Sequence, residues 1–167
     1  MRTDLLSRRA LLTGALFAAL LLIGCNDSKH TLAPPAPGDP SAITTEIHVT
    51  PTQFKAGETI EIVVTTRNPS SGPVTLGFSS SCIQMFNVQD KHGTVVAPLD
   101  LVCAANAPTV TLESGETIRN TFVWRGTTGL LGGGTSLPAG DYQITGLLNA
   151  FKPILTSAPV DVKVLAP

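Results

Sequence analysis

From residue 44 onward the apolar positions recur with period two. Ile47 and Val49 alternate with polar neighbours, and so do Ile60, Ile62 and Val64, then Val74, Leu76 and Phe78, then Val110 and Leu112. The pattern continues through Ile118, Phe122 and Trp124, Tyr142 and Ile144, and Val160, Val162 and Val164. Alternation of this kind turns one face of a strand into a core and the other into water. Segments 82–88 and 94–97 complete a set of about eight or nine strands, and no amphipathic helix of ten residues can be drawn among them. So many short strands in about 120 residues predict an all-β, two-sheet antiparallel sandwich.

The punctuation agrees. Ala56-Gly57-Glu58-Thr59 and Ser114-Gly115-Glu116-Thr117 are near-copies, each opening an alternating segment, and Ala139-Gly140-Asp141-Tyr142 opens another. Glycine supplies positive φ at such turns without a steric penalty. Tyr142 stands at a strand start, where immunoglobulin-like sandwiches use a phenol to hydrogen-bond across a corner. Asp90-Lys91-His92-Gly93 reads as a hairpin turn.

The N-terminal part obeys a different pattern. Residues 1–10 carry Arg2, Arg8 and Arg9 against Asp4, and a nearly uninterrupted apolar run follows through Gly24. This is the charged and apolar layout of an export signal, too short to be read as a stable membrane span. Leu22-Ile23-Gly24-Cys25 resembles the bacterial lipobox, which predicts cleavage before Cys25 and acylation of its thiol. Two or three acyl chains would anchor the protein stably, where one holds only marginally. The alternative is a buried thiol beside an ordinary cleavage site. Ser7-Arg8-Arg9-Ala10-Leu11-Leu12 also resembles the twin-arginine export motif, although paired arginines occur in general secretory signals too. Residues 26–42 hold four prolines and no apolar period, which predicts a stiff, solvated tether over residues 25–43 ahead of the domain at 44–167.

Charge narrows the partners. The whole chain has 11 Lys and Arg against 12 Asp and Glu, and residues 25–167 have 8 against 11, a formal charge of −3. A protein that grips nucleic-acid phosphates shows a basic surplus, so nucleic acid is not an expected partner. The expected partners are the membrane, through lipid on Cys25, and a protein.

With Cys25 lipidated, Cys82 and Cys103 remain in an oxidising compartment, where they are expected to pair. The spacing is too short for the inter-sheet bridge of antibody domains, so the bond should pin a connection to the edge of one sheet. A free nucleophilic pair is the alternative, without the CxxC spacing of redox thiols.

Four stretches in order resemble one family. They are Asn68-Pro-Ser-Ser-Gly-Pro-Val-Thr-Leu-Gly-Phe78, Met85-Phe-Asn-Val-Gln-Asp-Lys-His-Gly93, Val110-Thr-Leu-Glu-Ser-Gly-Glu-Thr117 leading to Trp124, and Pro138-Ala-Gly-Asp-Tyr142 to Gly146. In order and spacing the chain is similar to the bacterial intracellular proteinase inhibitor (BsuPI-like) family over roughly residues 58–148. The resemblance implies an immunoglobulin-like antiparallel β-sandwich. It carries no inhibitory residue across, because the matched positions are structural.

Candidate chemistry is sparse. His30, His48 and His92 fall in the tether, on the polar face of a strand and in a turn, with no second ligand at metal spacing. No HExxH, CxxC or GxSxG occurs, and the glycine-rich stretch after Trp124 lacks a phosphate-loop signature. No enzymatic activity, cofactor or metal is expected. Two segments could bind a partner. The first is the glycine-rich loop at 126–135, with Leu130 and Leu131, expected to be flexible; the second is 149–156, with Phe151, Lys152, Ile154 and Leu155 around Pro153. Apolar side chains in exposed loops mark partner sites, unless they fold back to cap the open end of the sandwich. The leading reading is a lipid-anchored envelope protein with a non-enzymatic binding or structural domain. The alternative is an exported proteinase inhibitor, with Lys152 as a residue for a trypsin-like pocket, since Pro153 stiffens that segment.

Overall fold

The computed structural model describes residues 34–130, 133–152 and 154–166. Eleven strands occur among them. They are β1 (Thr44–Thr50), β2 (Gln53–Lys55), β3 (Ile60–Arg67), β4 (Val74–Gly77), β5 (Gln84–Gln89), β6 (Val95–Ala97), β7 (Thr109–Leu112), β8 (Thr117–Trp124), β9 (Gly140–Leu148), β10 (Leu155–Thr156) and β11 (Val160–Leu165). The expected count of eight or nine is therefore corrected to eleven. The additions are β2 and β10, three and two residues long and too short to show a period.

β1, β3 and β8 form one antiparallel sheet. β2, β11, β9, β5 and β6 lie side by side in the other, with β10 extending the β11 edge along β9. All neighbours are antiparallel except β2 and β11, which run parallel. A separate antiparallel pair, β4 and β7, closes one end.

The alternating residues meet between the two main sheets. Ile60, Ile62 and Trp124 from one face Phe54, Phe86, Val88, Tyr142, Ile144, Val162 and Val164 from the other, all in one buried cluster. Trp124 and Phe86 are joined edge to face, as are Phe54 and Trp124, with ring centroids 6.1 and 5.9 Å apart. Gly146 sets the spacing, because a Cβ there would stand 3.3 Å from Ile47 and Val64. β9 can therefore lie close against β1 and β3. A second cluster, with Val74, Leu76, Phe78, Leu112 and Leu148, fills the end beneath β4 and β7.

The two near-copied turns share one solution. Gly57 and Gly115 have φ of 95° and 77°. In each turn the glutamate that follows accepts the backbone N–H of a residue three positions earlier, Glu58 from Lys55 at 2.8 Å and Glu116 from Glu113 at 2.6 Å. The Tyr142 hydroxyl donates to the Pro138 carbonyl at 2.9 Å, completing the corner. Residues 36–43, read above as tether, lie against the β3–β4 connection: the Gly38 N–H donates to the Pro73 carbonyl at 2.7 Å, and Ile43 is buried. Fully buried Asn68 ties that connection to the β7–β8 turn, donating to the carbonyls of Gly72 and Leu112 and accepting from Ser70.

Candidate functional site

At one end of the sandwich three chain segments run side by side. The middle one connects β4 to β5. On one flank its Gly77 carbonyl accepts the Phe151 N–H and its Ile83 carbonyl accepts the Asn149 N–H, both at 2.9 Å. On the other flank the Phe78 N–H donates to the Pro108 carbonyl and the Ser81 N–H to the Ala104 carbonyl. The Cys82–Cys103 disulfide crosses the same flank, with a Cα separation of 5.5 Å. As expected, it pins a connection, here the β6–β7 loop to the start of β5. On the chain-entropy estimate it stabilises by about 3 kcal/mol.

The β6–β7 loop runs from Pro98 to Pro108 without a turn or bend. It is fixed at five places. The Leu99 N–H donates to the Thr128 carbonyl at 2.7 Å, and the Asp100 carboxylate accepts the Leu130 N–H at 2.6 Å. Cys103 is held by the disulfide, Ala104 bonds Ser81 through both its N–H and its carbonyl, and Pro108 bonds Phe78. Between these anchors Leu101 and Cys103 turn inward, and Val102 turns out with 93% of its surface exposed. Leu99 is 66% exposed. Leu101 lines an apolar groove of about 410 Å³ shared with Ile83, Ile118 and Phe122.

Sequence reasoning missed this loop as a surface. The available signal was Cys103 set in Pro-Leu-Asp-Leu-Val-Cys, an apolar run that fits no strand period. Direction could not be read from it, because disulfide and Asp100 contacts from distant segments determine which side chains turn outward.

The glycine-rich loop, expected to be flexible, is hydrogen-bonded among its described residues: the Thr128 N–H bonds the Thr135 carbonyl, the Leu137 N–H bonds the Gly126 carbonyl, and the Trp124 indole N–H donates to the Thr127 carbonyl at 2.8 Å. Leu130 is half-buried against the main core cluster, so it caps the sandwich from above; Leu131 lies outside the described residues. Gly129 has a spatial reason, since a Cβ there would come 2.5 Å from the Asp100 carboxylate. The loop therefore buttresses Asp100, and through it the neighbouring loop.

In the 149–156 segment Phe151 and Ile154 are 63% and 61% exposed, Lys152 is exposed, and Leu155 is half-buried in β10. The Phe151 ring lies over Gly77, where an added Cβ would stand 3.4 Å from it. Pro153 and Cys25, with the whole export segment, lie outside the described residues.

A second concavity, a polar groove of about 560 Å³, lies between the β5–β6 turn and the outer faces of β9 and β11, lined by Asp90, Lys91, Asp141, Asp161 and Lys163. Asp90 is held below the usual carboxylate range by the N–H groups of Thr94 and His92, which it accepts in the turn. Tyr142 is pushed up by burial and then by the nearby Asp90 charge. His48 bonds Thr50 on the exposed face of β1. Among the described residues no three His, Cys, Asp or Glu side chains are grouped to hold a metal.

No curated protein matches the chain. Among solved structures, a β-glucosidase from Listeria innocua in complex with glucose is similar over 74% of this chain and 16% of its own, at 16% identity and a TM-score of 0.42. This chain thus spans about a sixth of that enzyme's length. The CARDB domain of a Pyrococcus furiosus protein, in complex with di-metal ions, is similar over 78% of this chain and 96% of its own, at 20% identity and a TM-score of 0.42. The DNA glycosylase AlkC of Pseudomonas fluorescens, bound to DNA containing an abasic-site analogue, is similar over 75% of this chain and 31% of its own, at 15% identity and a TM-score of 0.44. Likenesses this loose carry no functional argument. The family model of the intracellular proteinase inhibitor, BsuPI, matches residues 47–152, from β1 through the Phe151 loop and well over half of the chain. The chain belongs to the intracellular proteinase inhibitor family.

Proposed function

We propose that this is an exported, lipid-anchored protein whose sandwich domain binds and blocks a proteinase without doing chemistry itself. The observation that carries the reading is the family match over residues 47–152. The domain presents Val102, Leu99, Phe151 and Ile154 at or near one end, on segments anchored by hydrogen bonds and, beside Val102, by the disulfide. Binding through such segments loses little energy to ordering, which is what tight inhibition requires. Lipid on Cys25 places the domain at the envelope surface, facing proteinases of that compartment.

A second reading is supported by the export signal and lipobox, which separate this chain from an intracellular target: an envelope binding or structural module that inhibits nothing. Titrating full-length, detergent-solubilised protein into subtilisin-like, trypsin-like and elastase-like proteinases decides between them. Saturable inhibition of one class is the expected result; no inhibition of any class would leave the binding-module reading in place. The anchor is tested separately by Cys25→Ser, which should move the protein out of the membrane fraction.

A further inference from the structure

We propose that Val102 is the residue this protein inserts into the primary specificity pocket of its target, and that the target is a serine proteinase with a small aliphatic, elastase-like pocket. The proposal rests on the inhibitor reading and assigns its contact residue and proteinase class.

A chain segment that occupies a proteinase cleft must be extended, must leave its backbone free to pair with the enzyme, and must project one side chain at the pocket. Among the described residues the backbone of Leu101, Val102 and Cys103 makes no hydrogen bond. Immediately outside this triplet both sides are fixed, by the Asp100 carboxylate on the Leu130 N–H and by Ala104 on Ser81. The disulfide holds the residue next to Val102 itself. The free stretch is thus three residues long, set between rigid posts, and its central side chain is the most exposed large apolar one among the described residues, at 93%.

The alternative segment is less suited. The Phe151 N–H is already spent on the Gly77 carbonyl, and the Phe151 ring lies over that glycine. Leu155 and Thr156 are paired with β9. Lys152 lies between these fixed stretches, with none of the anchoring that disulfide and carboxylate give the β6–β7 loop.

The side chain defines the pocket. Valine is short and branched at Cβ, with few rotamers to lose and a preference for extended backbone. It fills a shallow aliphatic pocket, leaves the deep pocket of a trypsin-like enzyme with an unpaired buried acid, and underfills an aromatic-sized one. Asp100, two residues before it, has its carboxylate turned to the glycine-rich loop. No charge of the triplet itself opposes the approach of an apolar subsite.

The test uses full-length protein in detergent, with inhibition constants measured against an elastase-like, a trypsin-like and a subtilisin-like proteinase. The wild type should inhibit the elastase-like enzyme most tightly. Val102→Arg should weaken that inhibition by about 30-fold or more and create inhibition of the trypsin-like enzyme, as expected for a central contact residue. Val102→Ala should keep the preference. Because the position is exposed, unchanged melting temperatures will show that the variants are folded. If the wild type inhibits but Val102→Arg changes neither constant, Val102 is not the contact and the inhibitor reading survives. If Lys152→Ala abolishes inhibition of a trypsin-like target instead, the proposal is equally overturned and the 149–156 segment takes its place. If no enzyme is inhibited, the inhibitor reading fails and takes the proposal with it.

Discussion

The β6–β7 loop and the glycine-rich loop after Trp124 are neighbours that bond to each other, yet they use their apolar residues in opposite ways. The glycine-rich loop turns Leu130 onto the core, while the β6–β7 loop turns Val102 into solvent. Both are fixed. The difference lies in where the fixing bonds come from. The glycine-rich loop is closed mainly on itself and on the Trp124 indole, so its leucine can settle over the sandwich. The β6–β7 loop is held from outside, by a disulfide, a carboxylate contact and the β4–β5 segment, so it can stay extended with its valine unpacked. Glycine content alone is thus a poor guide to rigidity, because Gly129 leaves room both for the Asp100 carboxylate and for the Gly133 carbonyl of its own loop.

The strongest way to break the comparison is Trp124→Ala, which removes a fully buried indole together with the N–H that holds Thr127. It should destabilise by about 3–5 kcal/mol, the range for a large buried aromatic. Hydrogen exchange should rise in the glycine-rich loop before it rises around the disulfide.

Next comes the double variant Cys82→Ala and Cys103→Ala, expected to cost about 3 kcal/mol in denaturant unfolding. Its effect should be local in the other sense. The β6–β7 loop should become a good proteinase substrate, with cleavage beside Val102, and the glycine-rich loop should stay protected.

Gly129→Ala is the finer probe, since its methyl would stand 2.5 Å from the Asp100 carboxylate and 2.6 Å from the Gly133 carbonyl oxygen, and both must give way. Overpacking at a buried position of this kind costs about 1–3 kcal/mol. The informative readout is functional: inhibition should weaken although position 129 is buried away from the contact, and Asp100→Asn should weaken it in the same direction.

The smallest effect is electrostatic and lies away from both loops. Asp90 has its carboxyl held down by the N–H groups of Thr94 and His92, so the folded state favours its charged form. That contribution is present above the ordinary carboxylate value near 4 and is lost as pH falls through the lower folded value. The melting-temperature difference between wild type and Asp90→Asn should therefore shrink below about pH 4. Inhibition above that pH should be the same for both.

The strands were legible because burial on one face writes a period of two, which is why segments such as Ile60–Arg67 and Val160–Leu165 stand where alternation predicts. Gln53–Lys55 and Leu155–Thr156 were not, since two or three residues hold no period. The Tyr142 corner and the paired Gly-Glu turns were legible because their chemistry is local. The candidate site was half legible. Phe151 and Ile154 stood out as apolar residues in a connection, but Val102 did not, because its exposure depends on its neighbours' contacts with distant segments: Cys103 with Cys82, Ala104 with Ser81 and Asp100 with Leu130.

The central claim is that the β6–β7 loop, held by its disulfide and Asp100, is the surface that meets a proteinase. Hydrogen–deuterium exchange of the full-length protein, free and with an inhibited proteinase, tests it most directly. The amides of Leu101, Val102 and Cys103 have no partner among the described residues and should exchange freely in the unbound protein, then become protected in the complex. Protection that falls instead on residues 149–154, or on the Asp90 turn, with Leu101–Cys103 still exchanging freely, would contradict the account.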